Sequence, residues 1–178
     1  MANATAGDEG TTFVLGGARS GKSRYAESLI TARPQPWVYI ATAEAHDDEM
    51  AARIAEHKAR RKAGWQTIEA PHELPEALTA APRGAAVLVD CLTLWLSNVM
   101  HGAFDIDKVT LRLEEALRDR VGTTVLVSNE VGLGIVPDNA LGRSFRDAQG
   151  TLNQRLAAHA GRVVFMVAGL PLIVKGTS

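Results

Sequence analysis

The sequence predicts an α/β fold of three layers, with a mostly parallel sheet and a short antiparallel edge strand. Three observations carry this. Short apolar runs at 12–15, 37–42, 86–90, 123–130 and 162–168 alternate with stretches of helical spacing, as in successive βαβ units. The first of these junctions reads Gly16-Gly17-Ala18-Arg19-Ser20-Gly21-Lys22-Ser23, the G-x-x-x-x-G-K-S pattern of a phosphate-binding loop between a strand and a helix. Near the C-terminus, Gly169-Leu170-Pro171 turns the chain into 172–175, which is short enough to pair antiparallel at a sheet edge.

With 178 residues there is enough chain for one domain with a full core, expected over 12–178. Residues 1–11 are small, polar and slightly acidic, and are expected to form a disordered tail rather than a secretory leader. The net charge of −1 disfavours a broad nucleic-acid surface. No apolar run reaches the roughly 18 residues of a membrane span. Cys91 is the only cysteine, which excludes an intrachain disulfide and fits a cytoplasmic setting.

The loop 16–23 needs its residue types. Gly16 and Gly21 permit tight backbone turns that aim N–H groups at phosphate oxygens. The following helix, 23–30, adds the positive end of its dipole. Lys22 places a point charge near the β- and γ-phosphates, and the Ser23 hydroxyl is a ligand for Mg²⁺. A nucleoside triphosphate is therefore the expected ligand.

The remaining elements follow in order. Strand 37–42 ends in Ala41-Thr42-Ala43, at the sheet edge that also carries the loop. Asp47 caps a helix running to about Lys62, in which Met50 and Ile54 form a thin apolar stripe. Beside that stripe lie Arg53, His57, Lys58, Arg60 and Arg61. They read either as a solvated basic face or as a His in a cationic field, kept neutral and able to attack a phosphorus.

Strand 65–70 and a short helix within 71–80 come next, with Leu74, Ala77 and Leu78 inward. Strand 86–90 ends in Asp90, placed to hold Mg²⁺ or a nucleotide hydroxyl or base. Helix 92–100 is apolar enough that Leu94, Trp95 and Val99 serve either the core or a subunit interface. Helix 107–121 turns Val109, Leu113 and Leu117 inward. After strand 123–130 comes the apolar, glycine-bearing loop 131–137, which either covers a large substrate or packs. Asn129 and Glu130 are the polar groups nearest that edge. Helix 138–160 presents Leu141, Phe145, Ala148, Leu152 and Leu156 on one face. Arg143, Arg146 and Asp147 read equally as substrate contacts or helix-face charges.

Several segments together resemble one family. They are the loop 16–23, Tyr39-Ile40-Ala41-Thr42, Asp47-Asp48-Glu49-Met50 with Arg53-Ile54 and His57, and Val89-Asp90-Cys91-Leu92-Thr93. Ser128 to Pro137, Phe145-Arg146-Asp147 and Asn153-Gln154-Arg155-Leu156 complete the set. The chain resembles the bifunctional adenosylcobinamide kinase / adenosylcobinamide-phosphate guanylyltransferase of cobalamin biosynthesis.

The resemblance implies a P-loop NTPase-like fold and a homotrimer. It implies phosphorylation of adenosylcobinamide by ATP or GTP, then guanylylation of the product by GTP through a covalent GMP–histidine. It makes His57 the nucleophile, with His46 the runner-up. Where many members carry adjacent histidines, this chain has Glu56-His57. It also implies nucleotide contacts at Ala41, Thr42, Ala43, Lys58, Ala59, Arg60, Arg61, Glu69 and Asp90. Two other classes stand beside this reading: a P-loop small-molecule kinase without a covalent step, and a nucleotide-binding switch.

Overall fold

The computed structural model describes residues 10–44, Ala52, Ala55 and 63–177. A seven-stranded sheet runs in the order β3-β2-β4-β5-β1-β6-β7. Its strands are β1 Thr11–Gly16, β2 Trp37–Ala41, β3 Trp65–Glu69, β4 Ala86–Asp90, β5 Thr124–Asn129, β6 Arg162–Val167 and β7 Leu170–Lys175. All adjacent pairs are parallel except β6–β7. The mostly parallel sheet with an antiparallel edge is therefore as expected.

The helices are α1 Lys22–Thr31, α2 Leu74–Ala80, α3 Leu92–His101, α4 Ile106–Asp119 and α5 Ala140–His159. The expected helix 47–62 and the tail up to residue 9 lie outside the described residues, apart from Ala52 and Ala55, which are helical and exposed. Thr11, expected in the tail, opens β1 instead. Among the described residues no helix is long and apolar enough to cross a membrane.

The sheet's two faces carry separate cores. On one, Ala26 and Ile30 of α1 pack on Val14, Tyr39, Leu88, Val125 and Val127. On the other, helices α2 to α5 cover Phe13, Val38, Val87, Val89 and Leu126. Neighbouring residues of one strand thus go to opposite faces, as the pleat requires. Both faces being buried explains why the central strands read as continuous apolar runs.

One alternative is decided, in favour of the core, and two expectations change. Trp95 and Val99 are buried in the chain's own core, with the Trp95 indole N–H donating to the His72 carbonyl at 2.9 Å, so of that set the structure leaves only Leu94 partly exposed. Leu141 is 64% exposed, although it shares the spacing of Leu152 and Leu156. It lies in the first turn of α5, outside the stretch that packs on the core, so periodicity carried the inward face one turn too far. The last turn is also tighter than expected: Ala168 (φ 51°) and Gly169 (φ 81°) form the two-residue hairpin loop, and Leu170 and Pro171 already belong to β7.

Arg155 forks onto Glu114, with Nε to Oε1 and Nη2 to Oε2 both at 2.8 Å, and so ties α5 to α4. The hydrogen bonds from Arg155 hold the Glu114 carboxyl below the usual carboxylate range. A depressed carboxylate contributes stability above its unfolded pKa of about 4.3, and that stability is lost as pH falls through the lower folded value. Arg155→Met is expected to cost about 1 kcal/mol at pH 7. The gap between the urea midpoints of variant and wild type should narrow progressively as the pH is lowered below about 4.

Candidate active site

The chain leaves β1 toward the face of α1, but leaves β5 toward the face of α5. Between such neighbours a crevice opens at the carboxyl ends of the strands, the usual ligand position in an open α/β sheet. The loop 16–23 stands at this crevice.

Its backbone is built by residues with positive φ: Gly16 at 155°, Arg19 at 56° and Gly21 at 96°. Gly17, Ala18 and Arg19 form an exposed crest. Lys22 begins α1, is 7% exposed, and its Nζ donates to the Gly17 carbonyl at 2.5 Å, so the ammonium lies against the loop. Ser20 Oγ is buried with no hydrogen-bond partner among the described residues, a donor suited to an anion. The loop is braced from the sheet edge, because Gly169 N–H donates to the Ser20 carbonyl at 3.0 Å.

Gly16 tolerates no side chain. A Cβ there would stand 2.7 Å from both the Met166 carbonyl and Ser20 Oγ, at a φ that L-residues rarely adopt. Gly16→Ala is expected to cost about 2–4 kcal/mol in urea unfolding and to abolish nucleotide binding by calorimetry.

Across the crevice, register aligns further candidates. Ala41 pairs with Glu69 on one side and Asp90 on the other. Paired residues share a face, and Asp90 follows Leu88 and Ala86 onto the α1 side, the face of the loop's own helix. Glu69, Ala41 and Asp90 therefore form a row at one edge, with strands about 4.8 Å apart. β5 lies between this row and β1, which places Asp90 about 10 Å from the loop strand. Tyr39 donates its hydroxyl to Asp90 Oδ2 at 3.2 Å and orients that carboxylate.

Thr42 has a different role. It is fully buried, accepts from Cys91 N–H at 2.8 Å and donates to the Cys91 carbonyl at 2.7 Å. Its own carbonyl accepts from Asn98 Nδ2 at 2.8 Å. Thr42 thus laces the ends of β2 and β4 together, and its hydroxyl is taken up in doing so. Ala43 follows it, partly buried. The Cys91 thiol is pushed up to about 11, by burial first and by the Asp90 charge second, so it stays protonated at neutral pH and is no nucleophile.

His46, His57, Lys58, Ala59, Arg60 and Arg61 lie outside the described residues. For Mg²⁺ the expected donors are the Ser23 hydroxyl and the Asp90 carboxylate. Both are hard oxygen ligands, so the donor chemistry suits this cation, with phosphate oxygens completing the set. No cluster of three or more His, Cys, Asp or Glu among the described residues forms an all-protein metal site.

The apolar loop after β5 is anchored at Val131 and Pro137 but leaves most of its apolar side chains exposed. It makes a 3₁₀ turn at Val131–Leu133, and Leu133, Ile135 and Val136 are exposed, Ile135 at 96%. Arg143 donates to the Pro137 carbonyl at 3.0 Å and holds the loop's end, while Arg146 pairs with Asp147. Sequence reasoning missed the buried polar cluster of Thr93, Ser128, Gln149 and Asn153 behind this edge. Polar residues inside apolar helical stretches were the available signal.

Comparison with known proteins agrees with this architecture. The family model described as cobinamide kinase / cobinamide phosphate guanyltransferase matches residues 12–174. The chain is 49% identical over 167 residues to the bifunctional adenosylcobalamin biosynthesis protein CobP of Pseudomonas aeruginosa, covering 92% of this chain and 96% of that protein. It is 44% identical over 180 residues to the bifunctional adenosylcobalamin biosynthesis protein CobU of Salmonella typhimurium, covering 92% and 98%. Among solved structures, PH0250 from Pyrococcus horikoshii OT3 superposes with a TM-score of 0.57 at 8% identity, covering 95% of this chain and 87% of that one, a likeness of fold alone. With its phosphate loop, its sheet order and matches of this length, the chain belongs to the cobinamide kinase / cobinamide phosphate guanyltransferase family.

Proposed function

We propose that this protein is a transferase of cobalamin biosynthesis that phosphorylates adenosylcobinamide with ATP or GTP. It then transfers GMP from GTP to the resulting phosphate, giving adenosylcobinamide-GDP. The observation that carries the reading is a single sheet edge that gathers the loop 16–23 and the row Glu69–Ala41–Asp90, in a chain of this family.

In the first step the acceptor's hydroxyl oxygen bonds to the γ-phosphorus as the bond to the β–γ bridging oxygen breaks. The nucleoside diphosphate leaves with that electron pair, and the hydroxyl proton passes to solvent. The work of the chain is positioning and charge stabilisation: amides of Gly16 to Ser23, the Ser20 hydroxyl and Lys22 hold the phosphate oxygens. Mg²⁺ held by Ser23 and Asp90 supplies further neutralisation of phosphate charge.

In the second step the neutral imidazole of His57 bonds to the α-phosphorus, and pyrophosphate leaves. A phosphate oxygen of adenosylcobinamide phosphate then takes the GMP, the P–N bond breaks and the imidazole is restored. Lys58, Ala59, Arg60 and Arg61 follow His57 directly, and in this reading they contact GTP, with Ala41 to Ala43 and Glu69. The exposed Leu133, Ile135 and Val136 at the same edge offer apolar area to a large acceptor.

Residues 12–178 act as one domain, the protein works in the cytoplasm as a homotrimer, and its partners are small molecules rather than nucleic acid. The exposed Leu170, Leu172 and Val174 of β7 are consistent with an assembly.

The test is incubation with α-labelled GTP and Mg²⁺, then denaturation and intact mass. The expected result is a GMP adduct that is acid-labile and discharged by adenosylcobinamide phosphate. Nucleotide binding and phosphorylation of adenosylcobinamide without any adduct would leave a P-loop kinase alone.

A further inference from the structure

The crevice between β1 and β5 has two lips. Gly16, the first loop residue, ends β1, and Asn129, its register partner, ends β5. Alternation along β5 sends Val125 and Val127 to the α1 side, and Leu126 and Ser128 to the other. Asn129 continues the first series, so its carboxamide lies on the face shared by the loop helix and Asp90. Asp90 pairs with Val127, two residues before Asn129 on the same face. Asn129 therefore stands between the phosphate loop and the Asp90 carboxylate.

Its backbone is fixed from behind. Asn129 N–H donates to Thr93 Oγ1 at 2.8 Å, and its carbonyl accepts from Asn153 Nδ2 at 3.1 Å. Asn153 Oδ1 in turn accepts from Ser128 Oγ and from Gln149 Nε2, both at 2.9 Å, and Gln149 Nε2 also reaches Ser128 Oγ at 3.0 Å. Thr93, Ser128, Gln149 and Asn153 are all buried, and Ser128 and Gln149 wholly so. A buried polar cluster is costly to maintain where apolar packing would serve, and this one leaves Gln149 Oε1 without a partner among the described residues, while its remaining hydrogen bonds converge on the end of β5. What this cluster fixes is the last residue of β5. The Asn129 carboxamide makes no hydrogen bond among the described residues, although both of its backbone polar groups are tied.

We propose that Asn129 reads the terminal phosphate: its Nδ2–H donates to a γ-phosphoryl oxygen of the nucleotide held by the loop 16–23, with Thr93, Ser128, Gln149 and Asn153 as positioning residues. This rests on the nucleotide reading given above. The loop amides hold phosphates that a diphosphate also possesses and Lys22 is shared between the β- and γ-phosphates, whereas in this proposal the Asn129 contact meets only the group that a diphosphate lacks. The carboxamide cannot take a proton, so its contribution is a fixed dipole aimed at the group in transfer.

The test is the affinity for a non-hydrolysable GTP analogue and for GDP, each with Mg²⁺, by displacement of a fluorescent nucleotide from wild type, Asn129→Ala and Asn129→Asp. A hydrogen bond to a charged group corresponds to about tenfold or more. Asn129→Ala should lose that factor for the triphosphate and less than about twofold for GDP. Asn129→Asp keeps the shape but sets an anion against the γ-phosphate, so it should lose at least as much, again for the triphosphate only. Gln149→Leu should give the same pattern at smaller amplitude.

Equal losses for both nucleotides, or an Asn129→Asp protein that binds the triphosphate like wild type, would overturn the assignment. The readout needs no acceptor. If wild type binds both nucleotides yet phosphorylates no corrinoid, the substrate reading falls while the triphosphate-to-diphosphate ratio still decides the role of Asn129.

Discussion

His57→Ala should show no GMP–protein adduct after incubation with α-labelled GTP and Mg²⁺, while adenosylcobinamide is still phosphorylated. The two outcomes separate because the two steps need different groups. Guanylyl transfer through a covalent intermediate requires a nucleophile, and the loss should be on the order of 10⁴-fold or more, as when a nucleophile is deleted from an enzyme that cannot replace it. Phosphoryl transfer to a hydroxyl needs positioned charge and no protein nucleophile, so the kinase rate should stay within about tenfold of wild type. An acid-labile GMP adduct that persists in the variant would move the nucleophile elsewhere, with His46 the next residue to replace. Loss of both reactions together, in a protein that still binds GTP, would mean that His57 serves the nucleotide site as a whole.

Lys22→Ala should depress both reactions by about 10²- to 10³-fold, the usual cost of removing one preorganised charged donor from a phosphate site. Lys22 is almost fully buried at the first position of α1, with its ammonium against the loop it serves. Its position fits a charge acting on the bound nucleotide, which both half-reactions share. The measurement is single-turnover phosphorylation and adduct formation in the same preparation, with thermal melting as the control for folding. Lys22→Arg should not restore activity, because a planar guanidinium cannot replace a compact ammonium beneath the loop. A kinase step at wild-type rate in Lys22→Ala would place phosphoryl transfer outside this loop.

Most of the fold was legible because its signals are local. The phosphate loop is a run of consecutive residues flanked by its strand and helix, so spacing alone described it. The strand residues 86–89 are buried on both faces and 163–166 nearly so, and both read as unbroken apolar runs. The hairpin turn was misplaced because a two-residue loop needs only Ala168 and Gly169 at positive φ, and the more conspicuous Leu170-Pro171 sits comfortably in an edge strand. The inward face of α5 was overextended at Leu141 because periodicity records where a residue points, and not whether anything lies opposite.

By itself the sequence determined the class of fold, the phosphate loop and the candidate residues, because these are written in neighbouring positions and in collinear motifs. Which of those residues meet was decided only in three dimensions. Strand order sets β5 between β1 and β4, so residues more than a hundred positions apart, Gly16 and Asn129, become neighbours. The same order gathers Glu69, Ala41 and Asp90 onto the loop's face and turns Thr42 into a lacing residue. The physical reason is that crossover helices carry the chain over several strands before it pairs again, and no local pattern of residues records which strand it will meet.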